Sequence, residues 1–507
     1  MPRTATSSVR IPTAPSAVSY RWLALALVAA ASFRLLWPSD TSFLFDQGLL
    51  IDRALTDNAR HALTTFGLRG TRGLDYGPLA IWFYRVLLWV KTDLVTLVVV
   101  RTALVTAVTG GSVFWLSRLC PFLVPEVAVV PLLSPYLWYF ARDPWDNSLM
   151  IPLVSLAFTA YFAFHLQRKA WQLAIVALCL AGCFLTHLMS LALTAALGLH
   201  FLVFHLDWAK RKLGALALIV GVTLVVMAPY LGHLAQHWQQ AGPPPIGKVA
   251  AIGFSFCGAV QFSAIGFERY LGKMWFATPG APAVVSALSG IATFLTALAY
   301  VFGWYGLYVA VHRILRGGLR DARYHLCWLT VAGFAFHFML NCAMHLFSYP
   351  HYYNGVWILF LLQIWIGVSE LWKGSAGRIA FFAYSASLAI SLAHVALLIH
   401  VNGGSRELSY GPTLGNWITL ARELNAAPAG NTVVSNAFHP RIFPNVLPTL
   451  QRIYQPQEKD RATFGDYRGP LVLQYLDPLN PRDGRIVLTK GGERPSPSVD
   501  ENGPRTR

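Results

Sequence analysis

Charged residues are scarce in this chain. Asp, Glu, Lys and Arg make up 12% of its 507 residues, about half the share of an ordinary soluble protein. Because 55% of the residues are apolar and the mean hydropathy is +0.48, lipid is expected to surround much of the chain. The net charge of +17 lies in short basic clusters between apolar runs rather than in one tract. This arrangement argues against a nucleic-acid binder and fits the positive-inside pattern of membrane proteins.

Cysteine is also sparse, with six residues in the whole chain. Five of them fall within or beside apolar runs, and Cys257 alone is expected on the outer side of a membrane. A disulfide framework is therefore not predicted. The sequence shows no Cys or His spacing typical of a metal site either.

The apolar runs predict eleven membrane-spanning helices, since one crossing needs about 20 apolar residues. The expected spans are 20–38, 94–118, 122–141, 147–166, 170–186, 188–206, 213–235, 283–311, 326–347, 356–372 and 379–400. The polar residues 1–19 are expected to be disordered on the cytoplasmic side. Ala29 and Ala31 resemble a signal-peptidase site, so cleavage is the alternative to an uncut first span.

Residues 78–90 are apolar but short for a crossing. If this segment does not cross, every basic cluster between the spans lies on the side of the N-terminus, as the positive-inside rule requires. It is therefore predicted to be an interfacial or re-entrant helix in a first outer loop, 39–93. The same reasoning places further segments outside: 142–147, 236–282, 348–355 and all residues after 400.

The chain after residue 400 changes character. An amphipathic stretch at 413–425 is followed by short apolar runs at 432–434, 471–473 and 486–488, which predicts a small α/β domain over residues 401–490. Residues 491–507 are rich in Pro, Ser and charge and are expected to be disordered. The expected fold is an all-α polytopic membrane protein, residues 20–400, carrying this small outer domain.

Acidic residues gather at the outer ends of the predicted spans. Asp46 follows the first span closely, Asp75 closes the same loop, and Asp143 and Asp146 follow the third span. Together they predict a polar pocket just above the lipid, suited to a substrate that is half lipid and half sugar. Helix capping by Asp143 and Asp146, and turn formation by Asp75, are the structural alternatives. For Asp46 the alternative is an ordinary solvated loop residue.

Other outer residues are weaker candidates for substrate binding. His187 and His351 lie at span ends beside or before aromatic residues such as Tyr352, and a structural role or a place in the interfacial aromatic belt is the alternative. Arginine suits phosphate recognition through charge-assisted hydrogen bonds. The candidates on the outer side are Arg53, Arg69, Arg72 and Arg142.

Several of these segments resemble the GT-C membrane glycosyltransferases, in particular the bacterial branch related to protein O-mannosyltransferases and lipid A aminoarabinose transferases. The resemblance covers about residues 20–400. It is carried by Phe45-Asp46-Gln47-Gly48 after the first span and by Tyr76-Gly77-Pro78-Leu79 at the start of the interfacial helix. The segment 143–147 resembles the second outer-loop motif of the family, and 351–353 resembles a late motif that faces the lipid-linked donor. Gln47 stands where many relatives have Glu, and Gly77 where many have Pro.

The resemblance implies transfer of a sugar from a polyprenyl-phosphate donor to a hydroxyl of a lipid, glycan or protein acceptor. The reaction would occur on the outer face of the bacterial cytoplasmic membrane, with inversion at the anomeric carbon and Asp46 as general base. A divalent cation is the one cofactor considered, at Asp143 and Asp146. The residues expected to contact substrate are Gln47, Asp75, Tyr76, Arg142, Asp143, Asp146, His187, His351 and Tyr352.

Two other functions remain open at this point. A lipid-linked sugar flippase or another membrane transporter would also be apolar and polytopic, although such proteins tend to place functional charges near the membrane midplane. A non-catalytic partner built on the same scaffold is the third hypothesis, and the presence of Asp46 argues against it.

Overall fold

The computed structural model describes ten ranges of the chain together with a few single residues between them. The ranges are 17–70, 74–237, 297–319, 321–344, 350–405, 410–428, 433–435, 443–458, 467–476 and 484–491. Most of the described residues are helical, as the sequence predicts. Arg72, nearly all of the loop 236–282, and the segments 1–16 and 492–507 lie outside the described residues.

The helices are numbered here in chain order. Those of the first half are α1 Ala17–Arg34, α2 Phe45–Arg60, α3 Leu79–Val90, α4 Leu94–Leu119, α5 Val130–Leu133, α6 Pro135–Arg142, α7 Met150–Gln167, α8 Ala170–Phe184, α9 Leu191–Phe204, α10 Leu206–Arg211 and α11 Leu213–His237. The described helices of the second half are α12 Leu298–Arg316, α13 Ala322–Met344, α14 Trp357–Leu371, α15 Ser375–Asn402, α16 Leu414–Ala426 and α17 Phe443–Ile453. Short 3₁₀ helices occupy Pro125–Val129, Asn147–Leu149, Leu188–Ser190 and Pro350–Gly355.

Five described helices are long and apolar enough to cross a membrane: Leu94–Leu119, Asn147–Gln167, Leu213–His237, Leu298–Arg316 and Ser375–Asn402. Five shorter apolar helices accompany them: Leu23–Arg34, Leu79–Val90, Ala170–Phe184, Leu188–Phe204 and Trp357–Leu371. The mostly helical fold with membrane-spanning segments is therefore confirmed, and the count of eleven spans stays a prediction. The run 170–206 is divided into α8 and α9, with the turn at the expected place.

The expected span 122–141 is wrong as a single helix. The chain there forms a 3₁₀ helix, then α5, then α6. Three prolines cause the division: Pro125, Pro131 and Pro135 each lie at the first or second position of a new helical segment. Proline lacks the backbone N–H of a helix interior and clashes with the preceding turn, so each segment ends before the next proline. Hydropathy alone does not register these interruptions.

A small sheet and two helices follow residue 400. Strands β1 Val433–Ser435, β2 Leu471–Tyr475 and β3 Ile486–Lys490 form a sheet in the order β1-β2-β3. The pairing is parallel between β1 and β2, where Val433 faces Leu471, and antiparallel between β2 and β3. A parallel pair requires a crossover, and α17 lies in the connection between β1 and β2. Helix and strands occur where the sequence predicts them.

This C-terminal unit shares one hydrophobic core with the loop that follows α1. Leu50 of α2 and Ile81 of α3 belong to the same buried cluster as Trp417 of α16, Leu447 of α17 and Leu471 of β2. Because the cluster is continuous, the C-terminal unit and helices α2 and α3 lie on the same side of the molecule. Polar contacts reinforce the packing.

Those polar contacts centre on one tyrosine and one ion pair. The hydroxyl of Tyr454 donates to Asp93 at 3.0 Å and accepts from the N–H of Leu94 at 2.9 Å. Arg452 of α17 pairs with Asp52 of α2. The start of α4 and the outward face of α2 are thereby fixed to the C-terminal unit.

Two buried arginines fix the chain between α1 and α2. Arg34, at the end of α1, donates to the carbonyls of Pro131 and Leu132 in the divided segment. Arg142, at the end of α6, donates to the carbonyl of Leu36 at 2.9 Å and to that of Trp37. Both guanidiniums satisfy carbonyls at helix ends, which otherwise lack intrahelical donors. The start of α2 is therefore held against the end of α6.

Candidate active site

The first turn of α2 carries Asp46 and Gln47. The side-chain oxygen of Gln47 accepts from the N–H of Leu44 at 3.1 Å, and its amide donates to Asp143 Oδ1 at 2.7 Å. Asp46 lies beside free backbone N–H groups, at the positive end of the helix dipole. Gln47, which stands where relatives have Glu, therefore joins α2 to the turn after α6.

The turn after α6 holds Asp143 and Asp146 by different contacts. Asp143 ends α6, and its side chain accepts from Gln47 rather than capping the next helix. Asp146 is the N-cap of the 3₁₀ helix Asn147–Leu149, and its Oδ1 accepts from the N–H of Asn147 at 2.7 Å. The capping hypothesis thus describes Asp146 and not Asp143. In both residues the second oxygen, Oδ2, is buried without a hydrogen-bond partner.

The three carboxyl groups affect one another. Burial raises the pKa of Asp143 to about 7 and that of Asp146 to about 8, and the nearby charge of Asp46 contributes to both. Burial also raises the pKa of Asp46, against a hydrogen bond from Trp145 that lowers it. Like charges this close cannot all ionise at neutral pH, so the group titrates as a coupled set. One or two protons are expected to be shared among the three.

Arg101 of α4 fixes the turn that carries Asp143 and Asp146 through several hydrogen bonds. Its guanidinium is fully buried and donates to Tyr84 at 3.2 Å and to the carbonyl of Phe140 at 3.2 Å. It also donates to the carbonyl of Ala141 and to Ser148. Its charge opposes the rise in the pKa of Asp143. The sequence analysis missed this residue, although a lone Arg inside an apolar span is itself a signal of function.

An aromatic wall, formed by Tyr76, His187, His351, Tyr352 and Trp145, borders the carboxyl groups. The ring centroids of Tyr76 and His187 are 4.1 Å apart, those of His351 and Tyr352 are 4.3 Å apart, and those of Trp145 and His351 are 4.6 Å apart. Burial raises the pKa of Tyr76, and the charges of Asp146 and Asp46 add to the effect. Burial lowers the pKa of His187 to about 3, so its imidazole is neutral, and its Nδ1 is buried without a hydrogen-bond partner.

Gly77 allows Tyr76 to reach this position. A Cβ on Gly77 would lie 2.2 Å from the carbonyl oxygen of Leu185 in the turn between α8 and α9. That carbonyl accepts from the N–H of Leu79 at 3.0 Å. The close approach of two backbone segments therefore explains the glycine at this position in the motif.

Asp75 does not belong to the cluster formed by the carboxyl groups of Asp46, Asp143 and Asp146. Its Oδ2 is 2.9 Å from His233 Nε2, and its carbonyl accepts from Tyr230 at 2.9 Å, so it fixes the loop to α11. Its backbone also forms an isolated bridge with Arg69. Asp75 therefore lies in a bridge rather than in a turn, and its side chain is paired with α11.

Three of the four arginines proposed for phosphate binding, Arg53, Arg69 and Arg142, lie within the described residues, and no contact joins them to the carboxyl groups of Asp46, Asp143 and Asp146 there. Arg142 is committed to the backbone carbonyls that precede α2, so the structure gives it a positioning role instead. The guanidinium of Arg53 lies 4.0 Å from the ring centroid of Phe66. Arg69 is exposed, and Arg72 lies outside the described residues.

The 3₁₀ helix Pro350–Gly355 is joined to the same turn. Asn354 donates to the side chain of Asn147 at 3.2 Å and accepts from Tyr136 at 2.6 Å. All three residues are buried, so the segment that carries His351 and Tyr352 has a fixed position relative to Asp146. The structure therefore brings together Asp46, Gln47, Tyr76, Asp143, Asp146, His187, His351 and Tyr352.

Known structures share this architecture. ArnT from Cupriavidus metallidurans bound to undecaprenyl phosphate matches with a TM-score of 0.50 and 15% identity, over 97% of this chain and 100% of that chain. This chain therefore has the fold of that ArnT structure. The apo state of the same ArnT matches with a TM-score of 0.48 and 14% identity, over 93% and 98% of the two chains. An Archaeoglobus fulgidus oligosaccharyltransferase in complex with Zn and sulfate matches with a TM-score of 0.44 and 13% identity, over 90% and 68%.

Comparison of the sequence finds no match, whereas comparison of the structure does. No protein-family model matches the chain, and no curated protein matches it. The fold shared with the ArnT structure agrees with the fold expected from the short motifs, at an identity that conveys the fold alone.

Proposed function

We propose that this protein transfers a sugar from a polyprenyl-phosphate donor to an acceptor hydroxyl, with Asp46 as the general base. The observation that carries the proposal is the meeting of Asp46 with the buried turn of Asp143 and Asp146, bordered by the aromatic wall. Buried carboxylate oxygens without partners are costly unless a ligand contacts them. Substrate hydroxyls are suitable donors to these oxygens.

Among the three carboxyl groups, Asp46 is the best suited to accept a proton. It is partly exposed, whereas Asp143 and Asp146 are buried and are held by Gln47 and by the N–H of Asn147. With a pKa of about 8, Asp146 is largely protonated at neutral pH, so it donates a hydrogen bond rather than abstracting a proton. A raised pKa gives Asp46 more affinity for the acceptor's proton.

The donor's properties fit a single base. Its leaving group is a phosphate, which departs without a strong acid, so direct attack by the acceptor hydroxyl inverts the anomeric carbon. His351 and Tyr352 are proposed to face the donor phosphate, with Tyr76 and His187 packing against the sugar. Undecaprenyl phosphate is the lipid bound in the ArnT structure, and it supports a donor of this class.

Charge compensation at the donor phosphate is proposed to involve a divalent cation at Asp143 and Asp146. Their unpartnered Oδ2 atoms would be its oxygen ligands, and binding of the cation would release the protons that the raised pKa values otherwise retain. Within the described ranges, no third His, Cys, Asp or Glu joins them as a potential ligand. Mg²⁺ and Mn²⁺ are often held by two carboxylates and substrate phosphate, so the donor itself would complete the site.

The proposed location is the bacterial inner membrane, with the site and the C-terminal unit on the outer face. The basic clusters of the sequence favour a cytoplasmic N-terminus. The shared core of α2, α3 and the C-terminal unit supports placing both on one side. Since that unit packs beside the site, we propose that it contributes to binding the acceptor.

The test uses the purified full chain in proteoliposomes with radiolabelled undecaprenyl-phosphate hexose and pentose, and cell-envelope extract as acceptor. We expect label to move onto the extract, and Asp46→Asn to reduce turnover by about 10²–10⁴-fold, the usual contribution of general-base catalysis. The matched control is Asp52→Asn, on the same helix but exposed and paired with Arg452. Movement of label across the vesicle wall without transfer would favour a flippase, and full turnover in Asp46→Asn would exclude its role as the base.

A further inference from the structure

Four histidines meet at the other end of α7. His165 lies near the end of α7, His200 on α9, His205 just after α9, and His325 near the start of α13. All four are buried, with no more than 5% of any residue exposed. None of the four belongs to the candidate active site around Asp46 and the aromatic wall. His165 is 18 positions along the helical segment from Asn147, which corresponds to about 27 Å at the α-helical rise.

Hydrogen bonds orient two of the four rings. His325 Nε2 lies 2.8 Å from the carbonyl of Leu319, which only accepts, so Nε2 carries the proton and Nδ1 carries a lone pair. That Nδ1 lies 3.0 Å from His200 Nε2, and His200 Nδ1 lies 2.8 Å from the hydroxyl of Tyr161. A histidine whose far nitrogen is held by a carbonyl or hydroxyl is oriented as metal-binding histidines usually are.

The other two rings share one long hydrogen bond. His165 Nδ1 and His205 Nε2 are 3.3 Å apart, which is long for a hydrogen bond to nitrogen. Two nitrogens bound to one tetrahedral ion at roughly 2.0–2.1 Å would be about 3.3–3.4 Å apart. The remaining nitrogens, His165 Nε2 and His205 Nδ1, are buried without a partner. At these rings an ion would therefore replace only the one hydrogen bond between His165 and His205.

We propose that His165, His200 and His205 bind one divalent transition-metal ion, with His325 as an additional ligand. One ring nitrogen from each of the first three lies within 4.8 Å of the others, which is close enough for a shared ion after small side-chain movements. Three histidines from separate segments are an established ligand set for zinc.

The chemistry of the cluster selects the class of ion. Neutral imidazoles are the ligands here, and the nearby Arg168 adds positive charge. Mg²⁺ and Ca²⁺ require oxygen ligands, most of them anionic, so they do not fit. Zinc and copper bind imidazole nitrogen strongly and tolerate a neutral ligand set. Zinc is the ion to test.

The position of the cluster indicates a structural role. The ion would join the ends of α7 and α9 to the start of α13, which are distant in the sequence. Because it lies about a membrane thickness from Asp146, it would stabilise the helix bundle without contacting substrate. With His325 as the fourth ligand the site would be closed, and a closed four-coordinate zinc site contributes directly to the stability of the folded state.

The test measures zinc on the full chain, purified in detergent with an affinity tag that contains no histidine. After chelation, reloading with zinc and desalting, we expect one zinc ion per chain by mass spectrometry and an apparent Tm above that of the chelated protein. His200→Ala should weaken zinc binding at least tenfold, whereas His312→Ala, on α12 and outside the cluster, should leave it unchanged. Substoichiometric zinc in the wild type, or equal binding by wild type and His200→Ala, would overturn the proposal.

A spectroscopic measurement on the wild type covers the case in which the variant fails to fold. Zinc K-edge X-ray absorption should show nitrogen neighbours near 2.0–2.1 Å with the multiple-scattering pattern of imidazole. Cobalt-substituted protein should give the visible bands of a tetrahedral site. A first shell made only of oxygen would show that the zinc binds elsewhere. Because the readouts are metal content and spectra, failure here leaves the proposed sugar transfer unaffected.

Discussion

Changing Asp146 to Asn should make the protein more stable at alkaline pH. In the folded chain the pKa of Asp146 is about 8, whereas an unfolded Asp has a pKa of about 3.9. Below pH 4 both states keep the proton, so the carboxyl has no effect on stability. As the pH rises from about 4 to 8, the unfolded chain releases its proton first, and the free energy of unfolding falls. Above pH 8 the folded chain also releases the proton, and the full free-energy cost of the buried charge is present.

The size of that cost follows from burial. The difference between the two pKa values corresponds to a free energy on the order of 5 kcal/mol at pH 9. Asp143, with a pKa of about 7, adds to the cost, and the two contributions are not additive because the carboxyls interact. Asparagine carries no charge and is a good N-cap, so it preserves the contact with the N–H of Asn147. The variant therefore removes the electrostatic cost with little change in shape.

The assay is thermal unfolding in detergent, followed by intrinsic fluorescence from pH 5 to pH 9. We expect similar apparent Tm values for wild type and Asp146→Asn at pH 5, and a Tm several degrees higher for the variant at pH 9. Asp52→Asn, a surface change in an exposed ion pair, should alter stability by no more than about 1 kcal/mol. Wild-type and Asp146→Asn curves that stay parallel across the whole range would refute the reasoning.

Three further substitutions test the supports of the site. Gln47→Met removes the donor to Asp143, and we expect a loss of about 1.5–3 kcal/mol of stability together with reduced transfer, measured by Tm and label transfer. Arg101→Met leaves buried carbonyls without donors, at about 1–3 kcal/mol each, and should lower the monodisperse fraction on size-exclusion chromatography. Gly77→Ala places a Cβ 2.2 Å from a backbone carbonyl oxygen and should abolish transfer, whereas Gly214→Ala, with nothing within 4 Å, should not. Normal activity in Gly77→Ala would contradict the close approach described here.

The sequence predicts the meeting of α2 with the turn after α6 because each motif adjoins a span end. Once the basic clusters assign a side to each span, the segments that carry Asp46 and Asp146 must both lie on the opposite side. Their distance within that side is set by packing between helices far apart in the sequence. The hydrogen bond from Gln47 to Asp143, which joins positions 96 residues apart, has no local signal.

Other features were missed for identifiable reasons. In the sequence, Arg101 is an isolated charge in an apolar span. Its acceptor Ala141 lies at the end of α6, one of the short helices into which prolines divide the following segment. The turn signal at Asp75 gives no indication of its contact, because its partner His233 comes from α11. The histidine cluster escapes a search for metal-type spacing because His165, His200 and His325 come from three helices. In each case long-range packing, rather than local pattern, creates the site.

The dependence of the candidate site on the C-terminal unit follows from the shared core. Leu50 and Ile51, one turn after Asp46, are fully buried in the cluster that also contains Trp417 and Leu471. Helix α2 therefore has its apolar face covered by a segment some 370 residues later, while its first turn contacts Asp143. An element held on both sides keeps Asp46 in one position, which general-base catalysis requires. The C-terminal unit thus supports the geometry of the base whichever acceptor it binds.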